Sequence, residues 1–208
     1  MACDLSHEAS LHARGYHIVC GIDEAGRGPL AGPVSVAAVV LPHGFSHPWL
    51  NDSKKLSARR RETIYTELLA TPGLFWHCEV IDAETIDTLN ILRATHTGMR
   101  RCALALPVPP DAALIDGLPV PDFPIPHFPL VGGDALSLSI AAASIIAKVT
   151  RDRLMLEADK IYPAYGFAQH KGYGTKQHLQ ALEQWGPCPI HRRSFAPVAQ
   201  ALLPFKNA

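Results

Sequence analysis

The stretch Y-H-I-V-C-G-I-D-E-A-G-R-G-P-L-A-G-P-V-S-V-A-A-V-V-L, Tyr16 to Leu41, decides how this chain is read. Its two ends, Tyr16–Asp23 and Val34–Leu41, are rich in β-branched and aromatic side chains and predict a pair of strands. Between them E-A-G-R-G-P-L-A-G-P holds three glycines and two prolines, the composition of a tight loop whose backbone can come close to a ligand. Just before that loop the first strand delivers two adjacent carboxylates, Asp23 and Glu24, to its tip. An apolar strand seldom carries charge to its end without a use for it, so the pair marks a candidate site. The glycine spacing from Gly26 to Gly32 is superficially that of a dinucleotide-binding turn. Such a site needs a helix after the glycines, and Pro33 with the β-branched run behind it predicts a strand instead. The loop offers exposed amides and Arg27, suited to gripping a phosphate or a sugar.

Outward from this stretch, strands and helices alternate. Ser57 has N-cap chemistry and opens a helix through Arg60, Ile64, Leu68 and Leu69, which Thr71-Pro72-Gly73 stops. Leu74 to Ile81 reads as a strand, Asp82 to Asp87 as a short helix, and Ile91 to Leu106 as a longer helix ending before Pro107. Asp111 to Asp116, D-A-A-L-I-D, is a short apolar strand that again ends in an acid. Five prolines between Pro119 and Pro129 exclude a helix and leave an extended connector or an edge strand. The strongest helical pattern runs from Asp134 to about Tyr162, with Leu136, Ile140, Ala143, Ala147 and Val149 as a small apolar face. Gly166 to Gly174 predicts a loop and Thr175 to Gln184 a helix. No internal repeat, low-complexity linker or second domain boundary stands out.

With 208 residues and a hydrophobic fraction of 48 %, the chain can bury the core of one ordinary domain. Its most apolar run, Ala135 to Val149, is interrupted by three serines and is too short to span a membrane. The N-terminal residues mix charged and small side chains, unlike a signal or transit peptide, so a cytoplasmic protein is expected. Five cysteines, Cys3, Cys20, Cys78, Cys102 and Cys188, include no C-x-x-C pair and predict reduced, mostly buried thiols. Nineteen basic residues against nineteen acidic ones leave no net charge, so nucleic-acid binding would have to come from local clusters. Such clusters are Lys54 and Lys55 with Arg59, Arg60 and Arg61; Lys148 with Arg151 and Arg153; His170 with Lys171; and His191 with Arg192 and Arg193. Each taken alone reads most simply as a solvated face.

Four carboxylates fall at element ends: Asp23 and Glu24 after one strand, Asp116 after another, and Asp134 at the head of the long helix. Converged, they would repel one another strongly unless divalent cations neutralised them. All-oxygen ligands without Cys or suitably spaced His favour Mg²⁺ or Mn²⁺ over zinc. Each acid also has a purely structural use open to it: Asp134 as an N-cap, Asp116 in a turn, Asp23 with Glu24 at a solvated corner. Asp152, in T-R-D-R, follows Asp134 by eighteen residues. On a straight helix that is about 27 Å, so Asp152 reads as a capping or ion-pairing residue and not as a fifth ligand.

Several motifs occur together and in one order: G-I-D-E-A-G-R-G-P-L-A-G-P from Gly21, D-S-K-K-L-S from Asp52, N-I-L-R-A-T from Asn90, S-I-A-A-A-S-I-I-A-K-V-T-R-D-R from Ser139 and H-K-G-Y-G-T from His170. They resemble bacterial ribonuclease HII over about Ile18 to Val198. The resemblance implies an α/β, RNase H-like fold: a central mixed β-sheet flanked by α-helices, with a C-terminal helical segment. It divides the chain into an N-terminal extension of residues 1–17, a catalytic domain of 18–198 and a tail of 199–208. The sister type, ribonuclease HIII, carries an additional N-terminal domain, for which the residues before Ile18 leave no room.

The activity implied is an endonuclease that hydrolyses the RNA strand of RNA–DNA hybrids and incises 5′ to ribonucleotides embedded in duplex DNA, leaving 5′-phosphate and 3′-hydroxyl ends. Two Mn²⁺ or Mg²⁺ ions would be held by Asp23, Glu24, Asp116 and Asp134, the catalytic acids. The Gly26-Arg27-Gly28 loop would read the ribonucleotide's 2′-hydroxyl, Tyr173 would stack on the sugar at the DNA side of a junction, and Lys54 and Lys55 would touch phosphates. The ordinary alternatives are a surface ion pair for Arg27, a packed loop aromatic for Tyr173 and a solvated face for the lysines. In one place the chain departs from the family pattern, which usually has Lys-Gly-Asp at the fourth acid: here it reads Gly132-Gly133-Asp134. Two rival readings are a non-catalytic hybrid-binding module, against which the four acids speak, and a small-molecule phosphatase, which would need neither Tyr173 nor the basic clusters. The tail Q-A-L-L-P-F, Gln200 to Phe205, is similar to the Q-x-x-L-x-F peptides that dock on the bacterial replication sliding clamp, or else packs back onto the enzyme. A monomer is expected.

Overall fold

The computed structural model describes residues 3–50 and 56–202. Its strands are β1 (Val19–Ala25), β2 (Val34–Val40), β3 (Phe75–Ile81), β4 (Ala112–Asp116) and β5 (His127–Leu130). Its helices are α1 (Ser6–Ala13), α2 (Ala58–Leu69), α3 (Ala83–Leu89), α4 (Ile91–Leu104), α5 (Leu138–Ile161), α6 (Phe167–His170), α7 (Lys176–Trp185) and α8 (Ala196–Ala201). The strands form one mixed sheet in the order β3-β2-β1-β4-β5, with β1 antiparallel to β2 and parallel to β4, and β4 parallel to β5. The α/β class and the mixed sheet are as the sequence predicts, and the proline-rich connector supplies β5 at the sheet edge, where Pro129 is tolerated. Among the described residues no helix is long and apolar enough to cross a membrane. All five cysteines are free.

Two compact units divide the chain: Met1–Ala25, Ser35–Glu79 and His96–Thr150 make one, and Gly26–Val34, Val80–Thr95 and Arg151–Ala208 the other. In the first, β2 alternates between two cores. Ala37 and Val39 pack with Ile64 and Leu68 of α2 and with Ile145 and Ile146 of α5. Val36 and Ala38 pack with Cys20 and Ile22 of β1 and with Met99 and Cys102 of α4. Covered on both faces, the strand reads in sequence as an unbroken apolar run. Gly21 is what lets α5 lie against β1, since a Cβ there would come within 2.2 Å of the Ser139 carbonyl carbon.

The residues before Ile18, left by the sequence as an extension, carry α1. Leu11 packs with Val19, Ala112, Leu114 and Ile140. The buried Glu8 accepts, through Oε1, the hydroxyls of Ser137 and Ser139 at 2.6 Å and the Ser139 amide at 3.0 Å. That places a carboxylate at the N-terminus of α5, where the helix dipole favours it.

In the second unit Ala31, Met155, Tyr165, Phe167, Ala181 and Cys188 form one core, and Leu30, Leu182 and Val198 another. Two expectations need correction. The long helix begins at Leu138, not at Asp134, which sits in a separate 3₁₀ turn, Gly133–Ala135. Leu136 and Leu138 are there engaged with Asp4, whose amide donates to the Leu136 carbonyl and whose carbonyl accepts the Leu138 amide. The segment Gly166 to Gly174 is not all loop, because α6 forms where the Asp159 carboxylate accepts the Ala168 amide at 3.0 Å. At the C-terminus Gln200 and Ala201 belong to α8, and residues 203–205 of the clamp-like peptide lie outside the described residues.

Candidate active site

β1 and β4 run parallel with Ile22 opposite Ile115, so the next residues, Asp23 and Asp116, emerge side by side at the same ends of neighbouring strands. Glu24 follows on β1, opposite Val36 of β2, and points to the other face of the sheet. Asp23 is 4 % exposed. Burial, then the Glu24 and Asp116 carboxylates, hold its carboxyl well above the ordinary carboxylate range, and the hydroxyl of Ser144 and the amide of Glu24 offset this in part. Asp116 Oδ1 accepts the Gly133 amide at 2.7 Å. A Cβ at Gly133 would lie 2.6 Å from Ile140 Cδ1 and 3.1 Å from Leu130 Cβ, so glycine lets the turn close on the strand tip without displacing those side chains, with the buried Asp134 one peptide away from that contact.

Asp23, Glu24 and Asp116 are therefore within electrostatic reach of one another, and Asp134 is tied to Asp116 through the backbone. Among the described residues no three Asp, Glu, His or Cys side chains already form a closed ligand cluster. The donor chemistry, carboxylates alone, fits a hard divalent cation, which would also relieve the repulsion that lifts Asp23.

The glycine loop lies in the second unit, and two buried arginines shape it. Arg192 donates from Nε to the Gly32 carbonyl at 2.9 Å, from Nη1 to Arg27 at 2.9 Å, and from Nη2 to Gly26 at 2.6 Å and Pro33 at 3.1 Å. Arg151 donates from Nε to Pro33 at 2.8 Å and from Nη2 to Ala31 at 3.1 Å. Both side chains are fully buried and all these acceptors are backbone carbonyls, so the loop sits on two charges that no carboxylate shares in these contacts. Burial and the neighbouring Arg151 pull the Arg192 guanidinium down to about 9, still protonated at neutral pH. Gly26 adopts φ +103°, and a Cβ on it would fall 2.1 Å from Arg151 Nε. Tyr173 stands beside the same loop, 45 % exposed: its Cε1 is 3.7 Å from where a Cβ on Gly28 would be, and Arg151 lies 5.9 Å from its ring centroid.

Arg151, His170, His191 and Arg192, read from sequence as parts of solvated basic faces, are thus buried supports. One signal was available for Arg151, which continues the Ala143, Ala147 row of apolar positions at the next helical step. Lys54 and Lys55 lie outside the described residues. The straight-helix distance from Asp134 to Asp152 loses its premise, because α5 starts after Asp134.

A family model described as Ribonuclease HII matches residues 20–198. The chain belongs to the ribonuclease HII family. The ribonuclease HII of Chloroflexus aurantiacus is 53 % identical over 213 residues, covering 100 % of both chains. Among solved structures, the ribonuclease H2 of Pyrococcus horikoshii matches with TM-score 0.76 at 23 % identity over 89 % of this chain and 97 % of its own. Bst-RNase HIII in complex with Mn²⁺ matches with TM-score 0.66 at 19 % identity over 89 % of this chain and 69 % of its own. These two share the fold. As a ribonuclease HII family member the chain is a ribonuclease H-type hydrolase. Gly132 takes a left-handed φ of +69° with nothing within 4 Å of a Cβ position, so backbone ease and not crowding is what glycine supplies there.

Proposed function

We propose that the chain is an endonuclease that cuts the RNA strand of RNA–DNA hybrids and incises on the 5′ side of single ribonucleotides in duplex DNA, leaving 5′-phosphate and 3′-hydroxyl ends. The observation that carries this reading is the pair Asp23 and Asp116 at the ends of adjacent parallel strands, with Asp134 fastened next to Asp116, in a chain of this family. The fold shared with a ribonuclease HIII solved with Mn²⁺ supports a divalent-cation requirement. Two such ions would supply activation of the attacking water and charge stabilisation at the leaving 3′-oxygen, so no covalent protein intermediate is needed. Asp23, Glu24, Asp116 and Asp134 would hold the ions, and Asp134 would also orient the attacking water. In the second unit the Gly26-Arg27-Gly28 loop, seated on two buried guanidiniums, gives the sugar-phosphate a positive seat and reads the 2′-hydroxyl, and the half-exposed Tyr173 ring packs on the sugar. Lys54 and Lys55 contact flanking phosphates.

The test is incubation with Mn²⁺ and a duplex carrying one ribonucleotide. A nick on its 5′ side with an extendable 3′-hydroxyl is expected. Asp23→Asn and Asp116→Asn should each keep less than about a tenth of the turnover at saturating metal, with hybrid binding retained, because amides are poor ligands for hard cations and a lost ligand costs several kcal/mol of transition-state stabilisation. A variant that still turned over at wild-type rate would remove its residue from the mechanism.

A further inference from the structure

Tyr173 is held by its backbone. Its amide donates to the His170 carbonyl at 2.9 Å, and its carbonyl accepts the Thr175 amide at 2.8 Å and His178 Nδ1 at 2.9 Å. His178 is fully buried, and its Nε2 lies 3.0 Å from Nε2 of the equally buried His191. Nδ1 of His191 receives the Cys188 amide at 3.0 Å and lies 3.1 Å from the Cys188 sulfur.

The direction of every bond in this chain is forced. A backbone amide only donates, so His191 Nδ1 is an acceptor and its proton sits on Nε2. A backbone carbonyl only accepts, so His178 Nδ1 carries a proton and donates to Tyr173. His191 Nε2–H can then bond His178 Nε2 only if that nitrogen is bare. One pattern satisfies both ends: two neutral imidazoles, His178 protonated at Nδ1 and His191 at Nε2.

The surroundings hold this pattern. The Phe167 ring stands edge-on to His178 at 5.4 Å between centroids and 5.7 Å from His191, while His170 stacks on His178 at 4.6 Å. His170 in turn accepts the Gly172 amide on Nδ1 at 3.2 Å, with its Nε2 2.8 Å from the Tyr165 carbonyl. Burial lowers the affinity of both His178 and His191 for a proton, His191 to about 4.

We propose that His178 and His191 are positioning residues for substrate recognition, a two-imidazole strut running from the Cys188 amide to the Tyr173 carbonyl that fixes where the tyrosine ring stands. The inference rests on the reading of Tyr173 as the residue that meets the ribonucleotide junction, and goes beyond it by naming what holds that residue in place.

The test separates the strut from that reading. In His178→Asn the side-chain amide can donate from near the Nδ1 position; in His178→Gln it reaches the Nε2 position and leaves the Tyr173 carbonyl without that donor. His178→Gln should lower single-ribonucleotide incision roughly five- to tenfold more than it lowers cleavage of a uniform hybrid, the loss of about one buried hydrogen bond, and His178→Asn should recover most of the difference. In a Tyr173→Ala background His178→Gln should add nothing to that selectivity. Equal losses on both substrates, or losses that simply add in the double variant, would overturn the strut. If Tyr173→Ala leaves incision unchanged, the reading of Tyr173 fails instead, and nitrogen NMR of the wild-type imidazoles decides the strut alone. His178 protonated only at Nδ1 and His191 only at Nε2 supports it, and any other tautomer or a charged ring refutes it.

Discussion

Arg192→Lys keeps a charge and removes a fork. In the native site one guanidinium serves the carbonyls of Gly26, Arg27, Gly32 and Pro33 at 2.6 to 3.1 Å, fully out of contact with water. A lysine ammonium presents its donors from a single nitrogen and can hold at most about two of these acceptors. Pro33 keeps the Arg151 Nε donor and Arg27 lies at the surface, so about one buried carbonyl is left without a partner, at a cost of about 1–3 kcal/mol. For a chain of this length each kcal/mol lowers the melting temperature by about 2–4 °C, which predicts a fall of roughly 2–12 °C. Activity should change in a particular way: the acids are held by β1, β4 and the Gly133 turn, none of which Arg192 bonds, so KM for the ribonucleotide duplex should rise more than kcat falls. The assay is a thermal melt beside initial rates, with the exposed Arg193→Lys as control. If Arg192→Lys melted within about 2 °C of wild type, less than one unsatisfied carbonyl should cost, the four-carbonyl cradle would not be what holds the loop.

Three further outcomes are expected. His191 is pushed down to about 4 by burial and then by His178, whereas an unfolded histidine titrates near 6.5. The unfolded chain therefore takes up a proton that the folded chain refuses, so this contribution is whole above about pH 6.5 and is lost as the pH falls toward 4, by about 3 kcal/mol; melts across that range should show the decline, and His191→Gln should flatten it. Asp23 has the opposite sign, since its raised carboxyl favours the fold at low pH and weakens it as the pH rises through the raised value. Asp23→Asn should accordingly melt higher than wild type at pH 8 in chelator by about 1–2 kcal/mol of stability while losing cleavage, and a lower melting point would contradict the repulsive cluster. Tyr173→Ala should reduce incision at a single ribonucleotide roughly ten- to a hundredfold, the worth of one stacking contact, as gel assays on matched duplexes would show.

The parts of the site that follow a period were legible, and the parts that depend on remote partners were not. Asp23 and Asp116 could be nominated because each ends an apolar run, and strand register then sets them side by side. Arg192 could not be told from a surface arginine, because the carbonyls that bury it lie as much as 166 residues away. The start of α5 was misplaced for the same reason: helical spacing extends back to Asp134, and what overrides it is Asp4, bonded to Leu136 and Leu138. Likewise α6 is capped by Asp159 from outside its own segment. Even the N-terminal residues read as an extension because nothing local betrays that Glu8 caps a helix 131 residues on.

This division has an energetic consequence. At the strand ends the fold places carboxylates where they repel, so burial and charge oppose the native state, and it is the proposed metal-dependent cleavage that calls for them. Under the loop the buried guanidiniums satisfy carbonyls that would otherwise be orphaned, so the fold requires the same side chains on which the proposed recognition by the loop rests. Single substitutions should therefore fall into two groups in a scan that scores abundance and cleavage separately. Neutral replacements of Asp23 should keep or raise abundance while abolishing cleavage, whereas those at Arg151, Arg192, Gly21 and Gly133 should lower both. The glycines belong with the arginines because a Cβ at either would strike within 2.6 Å of a neighbouring atom of the packed core. An Arg151 or Gly133 variant of wild-type abundance but no activity would place that residue in the chemistry and not in its support.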